Sequence, residues 1–121
     1  MGKPHEQLEA WKYVMQLVKA VYQLTAVFPA EERYGLAQQM RRAAVSIPSN
    51  IAEGAGRNGE KEFLNFIGIS RGSLAELETQ MQLAVMLSFA QANHPAFDLA
   101  NNTGKLLTGL HKKLKANTQS R

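Results

Sequence analysis

The chain has 121 residues, the length of one domain. Apolar residues make up 45% and charged residues 20%, a balance that excludes a disordered chain, and the absence of cysteine excludes disulfides and thiolate chemistry. The formal net charge is +4, but the excess sits at one end: Asn101 to Arg121 carries five basic residues and no acidic one, while the first 100 residues hold nine basic and ten acidic groups.

The first predicted helix covers about Glu6 to Phe28. Leu8, Trp11, Met15, Val18, Tyr22 and Thr25 recur at three- and four-residue steps, with Val14, Val21 and Phe28 widening the stripe. Pro29 stops it.

The second covers about Glu31 to Glu53, with Leu36, Met40, Ala43, Ala44, Ile47 and Ile51 on one side. Pro48 lies inside the pattern, removes one helical hydrogen bond and is expected to bend the helix near Ala44 or Val45. Gly54-Ala55-Gly56 ends it.

The third covers about Gly59 to Phe89, with Asn58 as the expected cap. Phe63, Phe66, Ile67, Ser70, Leu74, Leu77 and Met81 make one face. Leu64, Gly68, Ile69, Gly72, Leu83, Met86 and Leu87 make the other apolar too, with Glu76 embedded in it. A helix apolar on two sides needs two partners, and the second is either the fourth helix or another subunit.

The fourth covers about Pro95 to Lys115, with Asn93 or His94 as cap and Pro95 in the first turn. Leu99, Leu106, Leu110 and Leu114 form its stripe, with Lys105 and Lys112 opposite, and Thr118 to Arg121 reads as a frayed tail. Four helices on short connections, without strand-like alternation, predict an all-α, antiparallel up-down-up-down four-helix bundle over residues 1–121. No apolar run is long enough to span a membrane and no targeting segment is visible, so a cytoplasmic protein is expected.

Gly54-Ala55-Gly56-Arg57-Asn58-Gly59 matches a dinucleotide-binding fingerprint in letters, but a helix and not a strand precedes it. It reads as a helix–helix turn, with a phosphate contact at the third helix's N-terminus beside Arg57 as the functional alternative. His5, His94 and His111 share no metal-ligand spacing, no nucleophile–base set is identifiable, and neither a catalytic residue nor a cofactor is expected. A Glu53–Arg57 pair would need the helix to continue through the glycines.

The basic candidates for a nucleic-acid surface are Arg41, Arg42, Arg57, Lys61 and Arg71 around the second and third helices, and Lys105, Lys112, Lys113 and Lys115 on the fourth. With Trp11, Tyr13 and Tyr22 read as core residues, no stacking platform is expected, and contacts would go to backbone phosphates. The subunit-interface candidates are Asn50, Glu53, Gly68, Gly72, Glu76 and Leu83.

Three stretches carry a resemblance: Phe28-Pro29 with Glu31 to Leu36, Gln39 to Gly54, and Glu62-Phe63 followed by Gly72 to Gln80. Over about Leu8 to Leu87 the chain resembles the four-helix-bundle family encoded in 23S rRNA intervening sequences, itself similar to the accessory variability protein of diversity-generating retroelements. The resemblance implies a homo-oligomeric ring, typically a pentamer. Retroelement relatives form a basic barrel that binds nucleic acid and a reverse transcriptase. It also implies that Asn50, Glu53, Gly54, Gly72 and Glu76 serve fold and interface. The expected function is a non-enzymatic, oligomeric module that binds nucleic acid, RNA foremost, through backbone phosphates; the alternative is an oligomeric scaffold that docks a protein partner, reverse-transcriptase-like or other, without nucleic-acid contact.

Overall fold

The computed structural model describes residues 5 and 8–119. Among these residues there are four α-helices and one short 3-10 turn, and no strand: α1 (Glu9–Ala26), the turn (Ala30–Glu32), α2 (Leu36–Ala55), α3 (Glu60–Met86) and α4 (Pro95–Gln119). α1 packs on α2 and α4, and α3 packs on α2 and α4, while the diagonal pairs do not meet. One core runs through all four helices.

That core has a seven-residue rhythm. Val14, Leu17, Val21, Leu24 and Phe28 are buried along α1 and its exit; Ala37, Met40, Ala44, Ile47, Ile51 and Gly54 along α2; Ile67, Ser70, Leu74, Leu77, Met81 and Ala84 along α3. Ala96, Ala100, Thr103, Leu107 and Leu114 continue it on α4. Steps of three and four alternate on α1, α2 and α3 and on α4 as far as Leu107, with partly buried Leu110 between it and Leu114, the pattern of helices that pack side by side at shallow angles.

This rhythm corrects two expected stripes. On α1, Met15 and Tyr22 are 45% and 42% exposed, while Leu17 and Leu24 are buried. On α4, Leu106 is exposed and Leu99 and Leu110 are only partly covered, while Ala96, Ala100 and Thr103 are buried. Small residues fill the layers where neighbouring backbones come close, so the largest side chains do not mark the centre of the face.

Helix ends also move. The expected start at Glu6 lies outside the described residues, as does Arg121. α1 ends at Ala26, and the chain enters α2 through the 3-10 turn, so α2 starts at Leu36 and not Glu31. Glu32 Oε1 accepts from the Leu36 N–H at 3.1 Å, which gives a carboxylate to the new N-terminus. A Cβ at Gly35 would lie 3.0 Å from that oxygen, so the glycine leaves room for the cap. α2 then runs through buried Pro48 to Ala55.

Gly59, not Asn58, occupies the N-cap position of α3, with φ at +99°, a conformation that favours glycine. α3 stops at Met86, three residues before the expected end. Ser88 takes a left-handed conformation (φ 64°), its N–H bonds Val85 O at 3.0 Å and the Phe89 N–H bonds Ala84 O at 2.8 Å. This is a Schellman stop built on serine, so no glycine announces it in the sequence. Phe89 then packs its ring 5.6 Å from that of Phe28. At α4, His94 Nδ1 accepts from the Ala96 N–H at 3.0 Å, as expected of the cap. The helix continues to Gln119, past the expected end at Lys115, and takes in Thr118.

Candidate nucleic-acid interface

The nine expected cations do not form one surface. Arg41 and Arg42 sit on the early part of α2, facing α1. Arg57 and Lys61 flank the α2–α3 connection, beyond the end of α2 at Ala55, which lies roughly 21 Å along the axis from Arg41. Arg71 lies on α3 close enough to His111 of α4 to act on it electrostatically, as Lys115 does from within α4. Lys105, Lys112, Lys113 and Lys115 are all exposed on α4. Lys105 and Lys112 are two turns apart on its outward side, with Lys113 and Lys115 on opposite flanks.

Of these nine, Arg57 alone pairs with a carboxylate among the described residues. Its Nη2 is 3.5 Å from Glu53 Oε1, and its guanidinium lies 5.1 Å from the Phe66 ring centroid. The pair expected to be broken by the glycines therefore forms, because α2 extends through Gly54 to Ala55 and keeps the four-residue spacing on one side.

One open groove gathers cations and aromatic residues in a way that the sequence reading missed. Between α1 and α2 lies a groove of about 520 Å³, lined by Tyr22, Arg33, Tyr34, Gln38, Arg41, Arg42, Val45 and Ser46. Arg41 is fixed as its wall. Its Nε donates to Thr25 Oγ1 at 2.8 Å, an Nη2 hydrogen reaches Tyr22 O at 3.3 Å, and the guanidinium stacks 4.5 Å over the Tyr22 ring. Thr25 Oγ1 in turn donates to Val21 O at 2.8 Å. Arg33 and Arg42 are exposed, and Tyr34 is 82% exposed.

This overturns the expectation that no aromatic surface accompanies the cations. Tyr22 is not a core residue, and Tyr34 stands free at the rim. The available signal was Arg33-Tyr34 itself: an arginine and an aromatic residue on a connection ahead of Gly35, where neither is needed for a helix stripe.

Opposite its core side, α3 has a face that no other part of the described residues covers. A Cβ at Gly68 or Gly72 would meet no atom within 4 Å. Ile69, Leu83 and Met86 are exposed beside them, so α4 does not take the second apolar side. Glu76 is also exposed and accepts from Gln80 Nε2 at 3.3 Å. Asn50 belongs elsewhere: its Nδ2 donates to Ser46 O at 2.8 Å and lies 3.1 Å from Ser46 Oγ, which shares a 2.8 Å hydrogen bond with Ser73 Oγ across the α2–α3 seam. Glu53 is held by Arg57. Of the six interface candidates, Gly68, Gly72, Glu76 and Leu83 lie on the open α3 face, Asn50 is half-buried beside the α2–α3 seam, and Glu53 is exposed at the end of α2.

Gly54 is neither a turn nor a phosphate loop. It lies inside α2 against α3, where a Cβ would come within 2.7 Å of Phe66 Cβ and 2.9 Å of Phe63 Cδ1. The first turn of α3 already carries Glu60 and Glu62, whose charges oppose a phosphate there. Among the described residues no three histidine or acidic side chains gather to hold a metal ion, and no helix is long and apolar enough to cross a membrane.

Residues 6–112 match the family described as 23S rRNA-intervening sequence protein. No curated protein matches the chain.

Proposed function

The chain belongs to the 23S rRNA-intervening sequence protein family, and from that premise we propose a non-enzymatic, oligomeric module that binds nucleic acid, RNA foremost, through backbone phosphates in the cytoplasm. The observation that carries this is the uncompensated charge of the cations: eight of the nine basic candidates have no carboxylate partner among the described residues, and Arg33 joins Arg41 and Arg42 in the α1–α2 groove. Unpaired surface cations release counterions when a phosphate backbone binds, so affinity falls steeply as salt rises.

The bundle is antiparallel, up-down-up-down. Supporting this are the opposed contacts along α2 and α3, where Gly54 meets Phe63 and Phe66 while Ser46 meets Ser73. Copies assemble as a closed ring through the uncovered α3 face of Gly68, Ile69, Gly72, Leu83 and Met86. A ring needs two different complementary patches per subunit. The α1–α2 side offers the second, where Trp11, Met15 and Val18 line a shallow apolar cleft with Val45, Pro48 and Ala52.

Retention of mixed RNA and DNA by the immobilised protein at low and moderate salt tests the binding. Retention that disappears with salt supports it; no retention at low salt overturns it.

A further inference from the structure

We propose that the α1–α2 groove is a site for single-stranded nucleic acid, taking one base on the face of Tyr34 and its flanking phosphates on Arg33 and Arg42. The proposal rests on the nucleic-acid reading above and gives it a place and a strand preference.

Three observations support it. The groove gathers three guanidinium groups, and none pairs with a carboxylate among the described residues. The neighbouring carboxylates are those of the 3-10 turn. Glu32 is turned toward the Leu36 N–H and Glu31 is exposed, so two negative charges stand beside three positive ones. Second, Tyr34 is a large aromatic side chain left 82% exposed on a connection where it seals no core. An exposed ring beside cations offers a stacking surface to a base and charge to its phosphates, the pairing of features used to hold single strands. Third, a volume of about 520 Å³ lies within the range of small-ligand sites, which suits a splayed-out nucleotide. A base paired inside a duplex presents no face to Tyr34, so single strands are favoured.

Arg41 has a positioning role. Its two hydrogen bonds and its stack on Tyr22 tie α2 to α1 and fix one positive charge behind the site. Arg33 and Arg42 are the phosphate ligands because they are exposed and uncommitted. The same chemistry serves a ribose or a deoxyribose strand.

The test uses the full chain with labelled oligouridine, oligodeoxythymidine and a duplex of equal length, and an acidic polyglutamate peptide as competitor. Single strands should bind more tightly than the duplex. Tyr34→Ala should weaken binding about tenfold, and Tyr34→Trp should retain it, with indole fluorescence changing on stacking. Arg33→Ala with Arg42→Ala should flatten the dependence of log affinity on log salt by roughly 1.4, about 0.7 for each phosphate no longer neutralised. All three positions are exposed, so helical content should not change. If the wild-type chain binds no nucleic acid, the parent reading fails and this site with it. If it binds, these variants match wild type, and only replacement of Lys105, Lys112, Lys113 and Lys115 by glutamine abolishes binding, the site is overturned and the parent reading stands. Equal binding of duplex, or displacement of the strand by polyglutamate with no effect of Tyr34→Ala, also overturns it.

Discussion

Gly54 of α2 and Phe66 of α3 approach so closely that a Cβ on Gly54 would lie 2.7 Å from the Cβ of Phe66. Both atoms are attached directly to backbone, so neither can swing aside. Gly54→Ala gains up to about 1 kcal/mol of helix propensity, but overpacking a close contact costs about 1–3 kcal/mol. The net outcome is destabilisation, read as a lower thermal midpoint with unchanged helical content at low temperature. A raised midpoint would show that α2 and α3 separate freely at that layer.

Thr103 presents the reverse case. It is fully buried and its hydroxyl has no hydrogen-bond partner among the described residues. A buried hydroxyl without a hydrogen bond costs about 1–3 kcal/mol. Thr103→Val keeps the shape and removes that group, so denaturant unfolding should show an equal or higher midpoint. A fall of more than about 1 kcal/mol would mean that the hydroxyl has a partner such as a trapped water.

Gly72 separates folding from assembly. A Cβ there meets no atom of the described residues within 4 Å, so Gly72→Leu should leave the isolated bundle helical and at least as stable. The same leucine would stand on the face assigned to the neighbouring subunit. Light scattering should report a mass several times that of one chain for the wild type and a smaller mass for the variant. A wild-type monomer would refute the ring.

His111 supplies a pH dependence. Burial, then the charges of Arg71 and Lys115, hold its pKa below the ordinary value of 6.5. A base with a lowered folded pKa favours folding above its unfolded pKa, and that contribution is lost as pH falls through 6.5 toward the folded value. Stability should therefore decline on acidification from pH 7, and His111→Gln should flatten that part of the curve. Proton NMR should find the His111 pKa rising when Arg71 is replaced by Ala. No change in that variant would remove Arg71 as a cause.

The second apolar face of α3 was legible because Gly68, Gly72, Leu83 and Met86 lie opposite Ile67, Leu74 and Leu77 in the bare helical period, but that α4 leaves it open was not. The His94 cap was legible for a similar reason, since a capping bond needs only neighbours in sequence. The end of α3 was not: a serine took the left-handed position usually given to glycine. The groove was hidden because its parts lie far apart along the chain. Arg41 reaches Thr25 and Tyr22, sixteen and nineteen residues away, and no local pattern records that contact.

The sequence by itself determined that four helices form, roughly where each begins and ends, and that α3 has apolar residues on two sides. These follow from local period, capping and proline placement, which act within a few residues. The tertiary structure decided how α1 and α4 are rotated. A periodic stripe gives the width of an apolar arc, but its centre is chosen by the neighbour it meets. On α1 that choice buried Leu17 and Leu24, turned Tyr22 outward beneath Arg41, and so completed the groove at whose rim Tyr34 stands.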